Sequence, residues 1–255
     1  MRLLIKLGGT LLDQTAHRAS LSREIAQTMI DHQVVVVHGG GKQMTAHLAE
    51  RGIASRFIKG LRVTTPEVVD AMVKVFAGSV NAQLVSALRA AGALPVGLSG
   101  LSAGLVDAEI LDPELGQVGK PVRSDARLLE LLMQAHYLPV VACIAGDANG
   151  AIYNVNADQM AVACAASFRA EKLLFLTDVD GVRDKTGGVR GLLTAQQARD
   201  LIVEGVATGG MQAKLEAAIE ALQKGVAEVR ISPGAAPHPI RGLVAGLPTG
   251  TRILP

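Results

Sequence analysis

Tryptophan is missing from this 255-residue chain, and only two tyrosines and four phenylalanines are present. Any core must therefore be built from aliphatic side chains, as in α/β proteins whose parallel strands are rich in Val, Ile and Leu. The length suffices for one large domain or two lobes with a sizeable core. Hydrophobic residues make up 49% and charged residues 19%, which excludes a disordered chain. Cysteine is scarce too: Cys143 and Cys164 both lie in apolar stretches. They read as small buried hydrophobes in a reducing compartment, not as a disulfide framework. No sign of charge dominates, with 25 basic against 23 acidic residues and a net charge of +2. The charges form no basic tract, which argues against nucleic acid as a main partner. No apolar run approaches membrane-span length. Met1 leads directly into the first strand without a signal-peptide pattern. The expectation is a cytoplasmic protein with no membrane partner.

Two familiar nucleotide signatures are also absent. Gly41-Lys42 is followed by Gln43, not Ser or Thr, and no glycine stands five residues before Gly41, so there is no P-loop. No G-x-G-x-x-G opens a helix after a strand, so the dinucleotide fingerprint is missing.

What the chain does have is an alternation of strand and helix patterns, which predicts a doubly wound α/β sandwich. The segment from Arg2 to Leu7 reads as a short buried strand ended by Gly8 and Gly9. Lys6 sits in the middle of that run, where a buried ammonium costs several kcal/mol unless an anion or carboxylate meets it. The two glycines let the backbone turn and approach a ligand closely, leaving bare N–H groups at the carboxyl end of a strand. In open α/β sheets ligands bind there. Val34 to Val37 is a second buried strand, followed by His38-Gly39-Gly40-Gly41, another possible nest of N–H groups for an anion.

Spacing predicts helices from about Ser20 to His32, after Gly41 until Gly52, and from Pro66 until Gly92. Thr65-Pro66-Glu67 is the start signal of this last, long helix. Phe57 to Thr64 reads as irregular. Leu94 to Leu98, Leu138 to Ile144 and Lys172 to Thr177 complete the core strands, and the glycine-punctuated segment from Leu101 to Lys120 suggests hairpins or a lid. Ser124 is read as the cap of a helix through Leu132, and Asn149-Gly150 as a hairpin turn. Thr194 and Gln197 have the spacing of a capping box. Ala227 to Ile231 and Gly250 to Leu254 look like closing strands, and a lobe division falls near Arg169.

Four features suit one polyanion. They are Lys6 with Gly8 and Gly9, the glycines after His38, Asp158 near a helix start, and Lys214 in the first turns of another helix. Lys214 lies on that helix's apolar stripe, three residues after Met211 and four before Ala218. A lysine aimed at a packed face calls for a partner, and helix N-termini favour anions.

The chain also resembles the acetylglutamate kinases of the amino acid kinase family, from Leu3 to Leu254. The resemblance is carried by Ile5-Lys6-Leu7-Gly8-Gly9, Val37-His38-Gly39-Gly40-Gly41, Gly60-Leu61-Arg62-Val63-Thr64, Asn154-Val155-Asn156-Ala157-Asp158-Gln159, Thr177-Asp178-Val179-Asp180-Gly181, Gly210-Met211 with Lys214, and Gly250-Thr251-Arg252-Ile253-Leu254. It implies a three-layer αβα sandwich around a mainly parallel open sheet. Residues 1–168 would form the amino-acid lobe and dimer interface, and 169–255 the ATP-binding lobe. It implies transfer of a phosphoryl group from ATP, with Mg²⁺, to the γ-carboxylate of N-acetyl-L-glutamate, in arginine biosynthesis. By resemblance Lys6, Lys214 and Asp158 are catalytic, and Gly40, Gly41, Arg62, Asn154 and Asn156 meet the amino acid. Gly8, Gly9, Asp178, Val179, Asp180, Gly181, Val182, Arg183, Val206, Ala207 and Thr208 border the nucleotide. Leu98 to Gly104 lacks the Lys or Asp many relatives carry there. Two alternatives are a kinase of the same fold acting on carrier-bound aminoadipate or glutamate in lysine synthesis, and a non-catalytic sensor. The resemblance further implies a homodimer. Because Met1-Arg2 leads straight into the first strand, with no preceding helix, insensitivity to L-arginine is also expected.

Overall fold

Valine- and leucine-rich strands form the sheet that the scarcity of aromatics required. The computed structural model describes residues 1–255. Its strands are β1 (Arg2–Leu7), β2 (Gln33–His38), β3 (Phe57–Ile58), β4 (Leu61–Arg62), β5 (Pro95–Ser99), β6 (Val106–Ile110), β7 (Val118–Ser124), β8 (Leu138–Ala142), β9 (Ile144–Gly146), β10 (Ile152–Val155), β11 (Lys172–Thr177), β12 (Leu192–Thr194), β13 (Glu228–Pro233) and β14 (Thr251–Leu254). Eight form the central sheet in the order β12-β14-β13-β11-β1-β2-β8-β5. All pairs are parallel except β13 with β14. From β1 the chain builds one half of the sheet, with β5 at the edge and β8 inserted beside β2, then returns to β11 on the other side of β1 and builds the second half, with β12 at the far edge. The β1–β11 boundary is thus a topological switch point, with the ligand crevice expected outside its carboxyl ends.

Helices cover both faces. Thr15–Thr28 packs on Asn81–Ala90 and Pro239–Val244 on one side, while Ala157–Phe168 packs against β1, β2, β11 and Gly209–Gln223 on the other. The fold is therefore the expected three-layer α/β sandwich. Ala157–Phe168 is mostly Ala, Val, Met and Cys, and small side chains let it lie close to the sheet. Phe168 and Phe175 are fully buried. Truncating either to Ala would cost roughly 3–5 kcal/mol.

Several local expectations shift. The first helical region starts earlier, as Gly9–Asp13 followed by Thr15–Thr28, and ends before His32. Phe57 to Thr64 contains the small β3–β4 hairpin. The strand expected from Leu138 to Ile144 is two strands, because β9 leaves the central sheet to join β10, β7 and β6 in a separate four-stranded unit. Ser124 does not cap the next helix, which spans Arg127–Gln134. The Asp125 carboxylate accepts from the Arg127 N–H, and the Ser124 hydroxyl instead donates to the Ala163 carbonyl at 2.9 Å.

The helix Pro66–Ala90 is, by length and composition, apolar enough to cross a membrane, with a mean hydropathy of 1.3 over 18 residues. The sequence expectation missed this because Lys74, Asn81 and Gln83 interrupt its apolar run. Val69, Met72, Phe76, Leu84 and Leu88 are buried, as in a core helix. Its middle, Val73–Val80, is wound as a π-helix.

Candidate active site

β1 delivers Lys6 to the carboxyl end of the sheet with 7% of its surface exposed, between Val37 of β2 and Phe175 of β11. β10 ends at Val155, and Asn156 caps the helix Ala157–Phe168 by accepting the Asp158 N–H at 2.8 Å. That cap fixes the first helical turn and points Asp158 inward, where it is 5% exposed. Its Oδ1 lies 2.7 Å from the Lys6 Nζ, an ion pair off the hydrogen-bonding direction. Its Oδ2 accepts from the Lys214 Nζ at 3.3 Å. Burial alone would push the Asp158 carboxyl up. The two ammonium groups outweigh it and hold the carboxyl below its usual value. One carboxylate thus bridges a lysine of β1 and a lysine of the helix Gly209–Gln223. Neither lysine has another protein partner, although each carries three N–H donors.

The two glycine turns face each other beside this triplet. A Cβ on Gly9 would stand 3.5 Å from the Gly41 nitrogen and 3.8 Å from the Gly40 Cα. The expectation of bare N–H groups at both Gly8 and Gly9 holds for only one of them. Gly8 donates to the Leu176 carbonyl at 2.9 Å, whereas the Gly9, Gly40 and Gly41 N–H groups donate to no protein backbone. Gly40 cannot carry a side chain, because its Cβ would come within 2.7 Å of Phe76. Gly41 has open space around it and starts the helix Gly41–Glu50.

Arg62, at the end of β4, reaches the same turn. Its guanidinium donates to the Gly41 carbonyl at 3.3 Å, to the Thr45 hydroxyl at 2.8 Å and to the Ser55 hydroxyl, and it stacks on Phe57 at 4.6 Å. Partial burial draws its pKa down. Asn154 donates to the Thr64 hydroxyl at 3.0 Å, tying β10 to the segment after β4.

Across the switch point, Asp178, Val179, Asp180 and Arg183 follow β11 and are exposed, with Arg183 paired to Asp180 at 3.4 Å. Gly181 has φ +144, and a Cβ there would meet Thr251 and Val189 at 2.8 Å, so this turn requires glycine. The Val182 side chain is fully buried and its N–H donates to the Thr251 hydroxyl, and Ala207 is buried as well. Val206 is half-buried, and Thr208, Gly209 and Gly210 are exposed at the open N-terminus of the helix that carries Lys214.

A cavity of about 440 Å³ between the halves is lined by Lys59, Leu61, Gly119, Asn156, Gln159 and Ala213. A cavity of about 510 Å³ lies at the other end of β1, beside Arg2, His32 and Tyr137. It touches none of the lysines or glycine turns, so volume alone does not locate the chemistry here. Burial pushes the Cys143 and Cys164 thiols up to about 12, so neither offers a thiolate. Sequence reading missed Gln43, Thr45, Ser55 and Asn81. Gln43 donates to the Gly9 carbonyl at 3.3 Å, Thr45 and Ser55 hold Arg62, and Asn81 meets His38, and periodicity reveals none of these pairings.

The chain can now be set beside known proteins. The model of the amino acid kinase family matches residues 1–232. An acetylglutamate kinase of Solibacter usitatus is 60% identical over 255 residues, covering 100% of this chain and 99% of its own. One from Acidobacterium capsulatum is 43% identical over 258 residues, with 100% and 99% covered. The crystal structure of smu.665 from Streptococcus mutans UA159 superposes with a TM-score of 0.84 at 29% identity, over 99% of this chain and 98% of that one. The chain belongs to the amino acid kinase family.

Proposed function

We propose that this enzyme transfers the γ-phosphoryl group of ATP to the γ-carboxylate of N-acetyl-L-glutamate, giving an acyl phosphate. The observation that carries the reading is Asp158 bridging Lys6 and Lys214 beside glycine N–H groups that no protein atom uses. Relatives at up to 60% identity over the full chain favour the acetylated amino acid over carrier-bound aminoadipate, and an ATP-dependent kinase over a sensor.

The chemistry needs no general base. A side-chain carboxylate has its pKa near 4.3, so at neutral pH it is already the nucleophile. Asp158 is unsuited to proton transfer in any case, since both its oxygens are engaged and its pKa is held down. The obstacle is bringing an anion to a triphosphate. Positioning and electrostatic stabilisation then supply most of the catalysis. A carboxylate oxygen attacks the γ-phosphorus in line, and the bond to the bridging oxygen breaks, leaving its electron pair on ADP. Lys6 and Lys214 stabilise charge on the equatorial oxygens, with the Gly9 N–H as a further donor and Gly8 allowing close backbone approach. Asp158 keeps the two ammonium groups in register. Gly40 and Gly41 hold the γ-carboxylate, while Arg62 and Asn154 hold the α-carboxylate. Asn156 acts through its cap on the Asp158 turn.

On this reading residues 1–168 carry the amino acid and 169–255 the nucleotide. Asp178, Val179, Asp180 and Arg183 border the base and ribose with Val206 and Thr208, while Gly181, Val182 and Ala207 shape the turns from within. Mg²⁺ accompanies ATP. Asp158 is already shared between lysines, and no group of three His, Cys, Asp or Glu side chains could cage the ion. Coordination through phosphates and water fits such a donor set. We place the enzyme in the cytoplasm as a homodimer. The apolar helix Pro66–Ala90 can supply the self-complementary face that two-fold pairing needs.

Hydroxylamine trapping tests the activity. With ATP and Mg²⁺, N-acetyl-L-glutamate should yield a hydroxamate, and aminoadipate derivatives should yield little. Turnover confined to the aminoadipate derivatives, or ATP binding without any acyl phosphate, would overturn the assignment. Light scattering tests the dimer.

A further inference from the structure

His38 ends β2 immediately before the glycine turn and is completely buried. Its Nδ1 lies 2.9 Å from the Gly39 carbonyl, and its Nε2 lies 2.9 Å from the Nδ2 of Asn81. The same Nδ2 donates to the Val140 carbonyl of β8 at 3.0 Å. These contacts settle the protons. Val140 offers only an acceptor, so Asn81 must turn its NH₂ towards β8. The second hydrogen of that NH₂ then points at Nε2, which must accept. The proton of the neutral ring is thereby assigned to Nδ1, where it donates to the Gly39 carbonyl.

A carbonyl held in this way orients its whole peptide. The Gly39–Gly40 bond is trans, so the Gly40 N–H points away from the imidazole. That N–H has no backbone acceptor, although Gly40 is buried. The other side of Gly40 is pressed by Phe76 and Val80, within 2.7 and 3.2 Å of a Cβ position. Phe76, Val80 and Asn81 all belong to, or directly follow, the π-wound segment Val73–Val80. Phe76 and Asn81 are five residues apart, the spacing of a π turn, so that winding brings both to one turn of backbone. Gly97 of β5 makes room for the arrangement, because a Cβ there would collide with the Asn81 Oδ1.

We propose that His38 and Asn81 are positioning residues, which hold the Gly39–Gly40 peptide so that its N–H is aimed at the carboxylate of the amino-acid substrate. This rests on the assignment of Gly40 to that substrate. The imidazole itself touches no reacting atom; its proton acts through the peptide.

Two isosteric variants separate this role from simple core filling. His38→Asn keeps a donor where Nδ1 stands and loses the contact to Asn81. His38→Gln keeps an acceptor where Nε2 stands and loses the donor to Gly39. With thermal melting as the control for folding, His38→Gln should raise the KM for N-acetyl-L-glutamate about tenfold while the KM for ATP stays unchanged. His38→Asn should stay within about threefold of wild type, as should the ATP KM of both variants. Asn81→Ala, which releases the tautomer but leaves the ring in place, should raise the same KM several-fold and serves if His38→Gln fails to fold. His38→Asn as poor as His38→Gln, or equal losses toward both substrates, would overturn the proposal. The Gly40 amide, followed by NMR in ¹⁵N-labelled protein, separates the two layers of the argument. If it does not shift on adding N-acetyl-L-glutamate to the wild type, the assignment of Gly40 fails and the proposal fails with it. If it shifts in the wild type and equally, at equal affinity, in His38→Gln, only the positioning role is lost.

Discussion

Asp158 and Glu228 are each 5% exposed, and each is surrounded by cations, yet the two clusters are built differently. Asp158 sits at the carboxyl end of the central strands with Lys6 and Lys214. Glu228 opens β13 at the amino end of the sheet, with Arg230 at 2.6 Å, Arg252 at 2.8 Å and Lys172 at 3.8 Å. At the lower cluster the cations are also occupied by backbone. Arg230 donates to the Leu247 carbonyl at 3.1 Å, and Lys172 to the Val244 carbonyl at 3.4 Å. Planar guanidinium forks suit this fixed bracing of strand to loop. At the upper cluster the cations are compact ammonium groups with donors left over, facing glycine backbone that is also unengaged. The contrast separates a structural ion cluster from the one proposed as catalytic. Both bury a carboxylate and lower its pKa, so burial and titration alone do not distinguish them. What does is that two of the three lower cations are tied to backbone carbonyls as well, whereas neither upper lysine has a second protein partner.

The sharpest test of that contrast is to remove one cation at the upper site. Lys6→Ala and Lys214→Ala should each lower kcat by roughly 10²–10³, the cost of losing one preorganised donor at a developing charge. The KM values should change far less. Lys→Arg at either position should not restore activity, because a flat fork cannot reproduce a point charge in the same space. Near-normal kcat in either Ala variant would place the upper cluster with the lower one. The reciprocal variant is Glu228→Gln. It should leave kcat within a factor of two but lower stability by about 3 kcal/mol, since it strands the cations around it. Chemical denaturation measures the loss, and a collapse of kcat at full folding would break the distinction from the other side.

Arg62→Ala is expected to act next most strongly, and on one substrate only. Its guanidinium already bridges the Gly41 turn, Thr45 and Ser55, so it is held ready for a carboxylate. Loss of a charge-assisted pair should raise the KM for N-acetyl-L-glutamate roughly 10- to 100-fold with little effect on that for ATP. Equal losses for both substrates would make Arg62 a brace like Arg230.

How much of this could be read from the chain follows the range over which each signal acts. The strands β1, β2 and β11, the glycines at their ends, the Thr65 and Thr194 caps and the Asn149-Gly150 turn are local signals and appear where expected, whereas the strand from Leu138 divides in two and β5, at the sheet edge, is only half-buried. Lys6 and Lys214 were legible as lysines out of place, one inside an aliphatic strand and one on an apolar helix stripe. Each calls for a partner, but that Asp158 serves both is implied only by the family resemblance, and the structure shows it. The failures are long-range. Ser124 has the chemistry of a cap, but the Ala163 carbonyl, 39 residues away, claims its hydroxyl. The π winding between Val73 and Val80 leaves no mark in the apolar spacing, and the structure shows it setting Phe76 and Val80 against Gly40. Asn81 looks like any polar residue on a helix until β2 and β8 bring His38 and Val140 to it.

His38 offers the smallest expected effect, and it differs in kind from both charged clusters, being a buried titratable group kept neutral. Burial lowers its pKa from 6.5 to about 4, against a weaker opposing pull from the Gly39 carbonyl. The sign follows from linkage. Above pH 6.5 the ring is neutral in folded and unfolded chains alike, so its titration contributes nothing. Below that, the unfolded chain takes up a proton that the folded one resists until about pH 4, and stability is lost as pH falls through this window. Between pH 8 and pH 5 the loss amounts to about 2 kcal/mol. Asp158, whose folded pKa is depressed, adds its own loss only further down, as the carboxyl takes up its proton at lower pH. The two contributions therefore fall in separable ranges. Urea denaturation of the wild type and of His38→Asn at pH 8, 6.5 and 5 isolates the first, because every other titrating group cancels in the difference. The gap between the two proteins should narrow by about 2 kcal/mol on going to pH 5. A constant gap would mean that His38 is protonated within the fold at pH 5. A protonated ring could not accept from Asn81, and the contact between them would have to break.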